Sequence, residues 1–314
     1  MSYSKGYCLA RYGLKGLLLP MIPLSSTPFP LQAYDHPNFA SLPFVLLAGP
    51  DVLEGDGRIN LQAARYLSEM VQRLKKTYAI DYFFKSSYDK ANRTSITAYR
   101  GPGIKQGLDM LKHIQDETGA QLITDVHSVE EATLAGTVVD MIQVPAFLSR
   151  QTDLLLAAGE TGKIVNIKKG QFLSPKDVIN AVEKVKSTGN QRVFVTERGT
   201  TFGYNNLVVD MRGVPIIQEQ GVPIIFDATH SIQLPGGQGT SSGGQREYAI
   251  TLARAAVAAG CNGFFFETHP DPEVALCDGP NMLPLTWMEP LLDTCLRMRA
   301  AMKAVTPQAT PALV

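Results

Sequence analysis

Lys163-Ile164-Val165-Asn166-Ile167-Lys168-Lys169 and, beyond Ser174-Pro175-Lys176-Asp177, Arg192-Val193-Phe194-Val195-Thr196-Glu197-Arg198 decide the fold. Each end of this run is a short, almost unbroken apolar stretch rich in branched residues, as expected of a strand covered on both faces. Between them a helix is predicted to open at Ser174, with the serine at the N-cap and Pro175 at the first helical position. The unit reads strand, helix, strand. Both strands finish in charged residues, Lys168-Lys169 and Glu197-Arg198.

The alternation extends in both directions. Upstream, strands are read at Phe44–Gly49, Ile80–Lys85, Gln121–His127 and Asp140–Pro145. Helical spacing runs over Ile59–Tyr78, Ile104–Thr118 (closed by Gly119 as its cap), Val129–Val138 and about Gln151–Glu160. Downstream, an excursion through Val214-Pro215-Ile216-Ile217 leads to strands at Pro223–His230 and Gly263–His269. A helix ends near Gly260 and another spans Leu285–Ala304. Eight apolar strands alternating with eight helical stretches over about 260 residues is the pattern of a (β/α)8 TIM barrel. A doubly wound sheet is the rival, and the count closing at eight favours the barrel. No GxGxxG fingerprint or Walker loop supports a dinucleotide or P-loop reading. The expected organisation is an N-terminal extension over 1–40, a single barrel domain over 41–304 and a frayed tail over 305–314.

Composition narrows the partners. Lys plus Arg and Asp plus Glu balance at 29 each, so no global field favours nucleic acid or an anionic membrane, and any anion site must be local. Cys8, Cys261, Cys277 and Cys295 are scattered without a CxxC pair, which suits a reducing compartment. Residues 1–34 carry Lys5, Arg11 and Lys15 and no acidic residue, as a transit peptide can. Their apolar run, Leu17 to Leu24, is short and broken by prolines, which excludes a membrane span. The extension is read as loosely ordered or packing, and the protein as soluble.

In a barrel, catalytic groups project from the C-terminal strand ends. Those ends supply Asp51, Lys85, His127, Gln143, Lys168, Arg198, His230 and Glu267. Singly, each has a plain alternative: Lys168 and Lys169 at the surface, His230 merely hydrogen-bonded, Glu197 paired with Arg198. Together they make one site, because buried charges are costly unless paired or bound to a ligand. Lys85, Lys168 and Arg198, with Lys90 and Arg93 of the loop Lys85-Ser-Ser-Tyr-Asp-Lys-Ala-Asn-Arg-Thr-Ser95, form a cationic bowl suited to more than one anionic group. Opposite stands an Asp51, His230, Glu267 and Asp278 set of metal-ligand types, without local metal-binding spacing.

That basic loop, with Gln143–Asp153, Asn166–Phe172, Glu197–Gly199, Phe202–Met211, Phe226–Ser231 and Glu267–Pro272, resembles the 3-deoxy-D-manno-octulosonate-8-phosphate synthase family. The resemblance runs from about Phe44 to Ala304. It implies a cytoplasmic, tetrameric barrel enzyme that condenses phosphoenolpyruvate with D-arabinose 5-phosphate for lipopolysaccharide synthesis. Carried over by position, it implies that Lys85, Ser87, Gln143, Lys168 and Arg198 hold phosphoenolpyruvate. Asn92, Arg93 and Thr94 would take the aldose and its phosphate; the family more often has serine where Thr94 stands. Arg150 would reach a neighbouring subunit's site, and the Gln233–Gln245 loop is a candidate lid. Lys90 is the candidate to polarise or protonate the aldehyde oxygen. His230 is the candidate for proton handling, oriented by Asp278 or Glu267.

One departure concerns metal. The family divides into a metal-dependent class with cysteine after Gly-Pro and a metal-independent class with asparagine there; this chain has Asp51. Aspartate can ligate Mn, Fe, Mg or Zn, whereas Cys277-Asp278-Gly279-Pro280 looks like the metal-free class. The expectation is no metal; if one binds, Asp51, His230, Glu267 and Asp278 would hold it. The sister reaction, using erythrose 4-phosphate, is the nearest alternative. Its basic motif reads Lys-Pro-Arg-Thr, against Lys90-Ala-Asn-Arg-Thr94 here. A non-catalytic sugar-phosphate-binding barrel is the other.

Overall fold

The computed structural model describes residues 31–35, 42–236 and 243–304. Expectations for the rest of the N-terminal extension, the centre of the Gln233–Gln245 loop and the tail beyond Ala304 lie outside the described residues.

Eight parallel strands close on themselves. They are β1 (Phe44–Gly49), β2 (Ile80–Lys85), β3 (Gln121–Asp125), β4 (Met141–Val144), β5 (Ile164–Lys168), β6 (Val193–Glu197), β7 (Ile224–Asp227) and β8 (Gly263–His269). Each pairs with the next, and β1 pairs with β8 in the register Val45 to Gly263 through Gly49 to Glu267. That closing pair decides for the barrel over an open doubly wound sheet. Between the strands lie α1 (Arg58–Leu74), α2 (Ile104–Thr118), α3 (Val129–Gly136), α4 (Thr152–Glu160), α5 (Ile179–Lys186), α6 (Gly213–Gln218) and α7 (Ala249–Ala258); α8 (Leu285–Ala304) follows β8.

Strand periodicity sorts the apolar residues into two cores. Val45, Phe83, Ile123, Met141, Ile164, Phe194, Ile225 and Phe265, one from each strand, point inward and fill the barrel. Their neighbours Leu46, Phe84, Leu122, Ile142, Val165, Val195, Ile224 and Phe266 point outward beneath the helices. Both faces are buried, which is why the strands read as near-continuous apolar runs.

Residues 31–35 plug the bottom of the barrel. The Tyr34 ring meets Phe83 and Phe194 edge-on, and its hydroxyl donates to Asp81 at 2.5 Å. Gln121 donates to the same carboxylate at 3.0 Å. This part of the extension packs.

Three local readings change. Ser174 does not cap α5, whose N-cap is Val178 without a side-chain bond. Ser174 Oγ instead accepts from the Asp177 N–H at 3.2 Å and donates to Asp177 Oδ2 at 2.8 Å, closing an earlier turn. Residues 177–181 wind with i→i+3 bonds before α-helical bonding begins. The strands read to His127 and His230 stop at Asp125 and Asp227. Finally, Lys169 is not at the surface: fully buried, it donates to Leu173 O and Thr200 Oγ1 at 3.1 Å each.

Candidate active site

At the C-terminal mouth of the barrel a cavity of about 690 Å³ opens, a size suited to small metabolites. Lys85, Lys90, Asn92, Arg93, Thr94, Gln143, Lys168, Arg198, His230, Glu267 and Asp278 all line it. All of the strand-end set except Asp51 therefore share one volume with the basic loop.

Its cationic wall is held by buried acids. Lys85, 1% exposed, lies 3.1 Å from Asp125 Oδ2 and donates to Ser87 Oγ at 2.8 Å. Ser87 is fully buried and supports Lys85 from behind the wall rather than lining the cavity. Lys168 pairs with Asp227, and its ammonium sits 3.5 Å from the ring centroid of Phe265. Burial is the largest influence on Lys168 and draws its pKa down, against the opposing pull of Asp227. One terminal nitrogen of Arg198 donates to Gln233 Oε1 at 3.2 Å, while the other is buried without a hydrogen-bond partner. Glu197 pairs not with the Arg198 guanidinium but with Lys169, 3.5 Å away, and with backbone, accepting the Arg198 and Gly199 N–H groups at 3.0 and 2.7 Å. It aims Arg198 through the main chain. Three cations with spare donors therefore face one space, which is chemistry for phosphate and carboxylate.

The acidic set lies against these cations. Lys90 makes an ion pair with the fully buried Asp51. Burial would lift the Asp51 pKa, but Lys90 and Lys85 outweigh it and hold the carboxylate far below its usual range. Burial disfavours the Lys90 cation too, yet the Asp51 carboxylate, the largest opposing influence, raises its pKa well above normal. For Glu267, burial and then Asp51 push the pKa well above the usual carboxylate range, which favours its protonated form. His230 Nδ1 lies 2.7 Å from Asp227 Oδ2, outside hydrogen-bond alignment, and Nε2 lies 3.4 Å from Glu267 Oε1. Burial lowers the His230 pKa despite Asp227, which favours neutral imidazole. Asp227 therefore faces His230 more closely than Glu267 does.

The acidic residues split into two overlapping groups. His230, Glu267 and Asp278 offer ligand atoms within 4.8 Å of one another; Asp51, Cys277 and Asp278 do likewise. Glu267 has both oxygens buried without hydrogen-bond partners, so the first group fits a divalent ion by donor type. Asp51 is already neutralised by Lys90. Arg93 contacts Cys277 and lies 3.5 Å from Asp278, and burial with the adjoining carboxylates keeps Cys277 a thiol.

Asn92 and Thr94 are exposed at the rim. Arg150 is exposed and lies outside the cavity lining; its carbonyl accepts from Lys184 at 3.2 Å. The sequence reading missed Asp125, Asp227 and Phe265. The two aspartates had a readable signal, since each is the last residue of its strand. Extending those strands to the histidines hid them.

The profile of the DAHP synthetase I family matches residues 40–304. Curated relatives named 2-dehydro-3-deoxyphosphooctonate aldolase are similar over most of the chain. That of Syntrophotalea carbinolica is 54% identical over 264 residues, covering 84% of this chain and 94% of the relative. That of Syntrophobacter fumaroxidans is 57% identical over 253 residues, covering 81% and 86%. That of Geobacter sulfurreducens is 52% identical over 261 residues, covering 83% and 94%.

Proposed function

Because the chain belongs to the DAHP synthetase I family, we infer that it condenses phosphoenolpyruvate with D-arabinose 5-phosphate and water, giving 3-deoxy-D-manno-octulosonate 8-phosphate and phosphate. This is the activity of a 2-dehydro-3-deoxyphosphooctonate aldolase, a transferase of lipopolysaccharide precursor synthesis. The erythrose 4-phosphate reaction is that of a relative at family level only. The single observation that carries the reading is the convergence of Lys85, Lys168 and Arg198, from three strands, on one cavity shared with Lys90.

The chemistry assigns roles. Lys85, Lys168 and Arg198, with Gln143 beside them, hold the phosphate and carboxylate of phosphoenolpyruvate, and Ser87 supports Lys85. Asn92, Arg93 and Thr94 receive the aldose and its phosphate. C3 of the enol attacks the aldehyde carbon, water adds at C2, and the C2–O bond to phosphate breaks. Fixed cations hold the two anions in line and offset charge as it develops. Lys90 gives a proton or hydrogen bond to the aldehyde oxygen. Neutral His230, flanked by Asp227 and Glu267, accepts a proton from the attacking water.

A reaction without a resident metal is supported by the Lys90 ammonium, which already neutralises Asp51. Were a divalent ion bound, His230, Glu267 and Asp278, with Asp51, would hold it, and it would supply Lewis-acid activation of water. The assembly is a cytoplasmic homotetramer in which Arg150 serves a neighbouring subunit's site. Among the described residues no helix is long and apolar enough to cross a membrane.

Phosphate release from phosphoenolpyruvate tests this reading, with arabinose 5-phosphate, erythrose 4-phosphate or neither, with and without EDTA. Activity with the five-carbon aldose alone, indifferent to EDTA, is expected. Activity lost in EDTA and restored by Mn²⁺ would keep the reaction and overturn its independence of metal. Binding without phosphate release for any aldose phosphate would leave only the sugar-phosphate-binding reading.

A further inference from the structure

A row of buried polar side chains crosses the barrel just beneath the cavity, one or two from each of five consecutive strands. Thr196 Oγ1 on β6 donates to Asn166 Oδ1 on β5 at 2.7 Å. Asn166 Nδ2 donates to Gln143 Oε1 on β4 at 2.8 Å. Gln143 Nε2 donates to Asp125 Oδ1 on β3 at 2.6 Å. From the other side, Ser87, which follows β2, donates to Asp125 Oδ2 at 2.5 Å, and Lys85 lies 3.1 Å from the same oxygen. Thr196 and Asn166 have no exposure and lie outside the cavity lining, so neither touches a ligand there.

The direction of the row follows from its terminus. Burial disfavours the charge on Asp125, but Lys85 and Lys90 together overcome this and keep it ionised. An ionised carboxylate only accepts, so Gln143 must turn its NH2 group toward it. The Gln143 carbonyl then faces Asn166 and needs a donor, which only the Asn166 NH2 supplies. The Asn166 carbonyl in turn needs the Thr196 hydroxyl. Each amide is locked by the next, and Asp125 determines the sense of all of them. Inside a barrel such groups carry a desolvation cost that apolar residues of like size would avoid.

We infer that Asn166 and Thr196 are positioning residues for phosphoenolpyruvate, acting through Gln143 and Asp125 to fix which amide atoms of Gln143 and which setting of the Lys85 ammonium meet the substrate. The inference rests on the proposed function, since it takes Gln143 and Lys85 to face phosphoenolpyruvate. Thr196→Val keeps the shape and removes the terminal donor, leaving the Asn166 amide free to turn. Asn166→Asp keeps the shape and reverses the demand: the Gln143 NH2 group is drawn to the new carboxylate and its carbonyl is left facing Asp125.

The test is calorimetric binding of phosphoenolpyruvate to the full chain, alongside KM for both substrates, in the native protein, Thr196→Val, Thr196→Ser and Asn166→Asp. Loss of one aligned hydrogen bond predicts about tenfold weaker phosphoenolpyruvate binding in Thr196→Val and at least that in Asn166→Asp. Thr196→Ser should restore native affinity, and KM for the aldose should not move. Native affinity in Thr196→Val and Asn166→Asp would overturn the inference, as would equal loss in Thr196→Ser. If Asn166→Asp fails to fold, the valine and serine pair decides alone. A native chain that binds phosphoenolpyruvate but turns over no aldose phosphate sinks the proposed function while the binding comparison still stands. A native chain that does not bind phosphoenolpyruvate overturns both.

Discussion

The ammonium of Lys90 is seated on the carboxylate of Asp51, which has no solvent exposure. Lys90 lines the cavity together with Lys85, Lys168 and Arg198, while Asp51 lies behind it outside the lining. A charge held in this way is preorganised: its orientation does not have to be set during the reaction.

Lys90→Ala should lower kcat by at least about 100-fold, with a much smaller change in KM for phosphoenolpyruvate, as expected when a proton donor to the reacting oxygen is removed. Steady-state phosphate release would measure both constants. An unchanged kcat removes Lys90 from the chemistry.

Beside Lys90 the Asp51 pKa is lowered and the Glu267 pKa raised, which favours a single negative charge on the pair, held by Asp51. Asp51→Asn should therefore be tolerated, because Glu267 ionises once its neighbour is neutral. A loss of about 1 kcal/mol or less is expected in urea unfolding. Asp51→Asn with Glu267→Gln leaves the Lys90 cation buried and unpaired, and should lose about 3 kcal/mol or more. Equal destabilisation by the single and double changes refutes the shared charge.

The face of Phe265 lies under Lys168 at 3.5 Å. Phe265→Leu keeps the site apolar but removes the ring quadrupole, a contribution of about 1–2 kcal/mol for a desolvated cation. KM for phosphoenolpyruvate should rise by about tenfold while KM for arabinose 5-phosphate stays near native. A rise in the aldose KM alone would place Lys168 against the other substrate.

Asp125 and Asp227 are held below the usual carboxylate range: burial opposes their charge, but the cations around them more than offset it. Above an ordinary aspartate pKa of about 4, both states are ionised and this stabilisation is fully present. As pH falls below that value the unfolded chain takes up protons the folded chain refuses, so stability drops progressively toward the depressed folded pKa values. Urea midpoints measured from pH 5 to pH 2 should fall steeply. Asp125→Asn should flatten that fall; an unaltered slope would show that Asp125 is not ionised in the fold.

Much of the site was legible because barrel geometry turns a list of strand ends into a place. Lys85, Lys168, Arg198, His230 and Glu267 are far apart in sequence, yet each follows an apolar run, and closure of the sheet brings those ends to one rim. Asp125 and Asp227 escaped because apolarity continues for a residue or more past the last residue in paired register, as in Val126 and Ala228. The position at which a strand stops is set by its neighbours' register, not by its own composition. Ser174 misled for a related reason: a serine before proline suits a tight turn as well as a helix start, and which one forms depends on how the following residues pack.

The amino-acid sequence by itself determined the near-continuous apolar strand runs, the helical apolar periodicity, the count of eight units and the types of charged residue at each strand end, because these depend only on local patterning and on the cost of burying charge. Only the tertiary structure decided which charge answers which: Lys90 to Asp51, Lys85 to Asp125, Lys168 to Asp227, and Glu197 to Lys169 and backbone rather than to Arg198. Those partnerships join residues as many as 59 positions apart. Electrostatic pairing falls off over a few ångströms of space and is indifferent to distance along the chain, so it becomes defined only when the barrel closes.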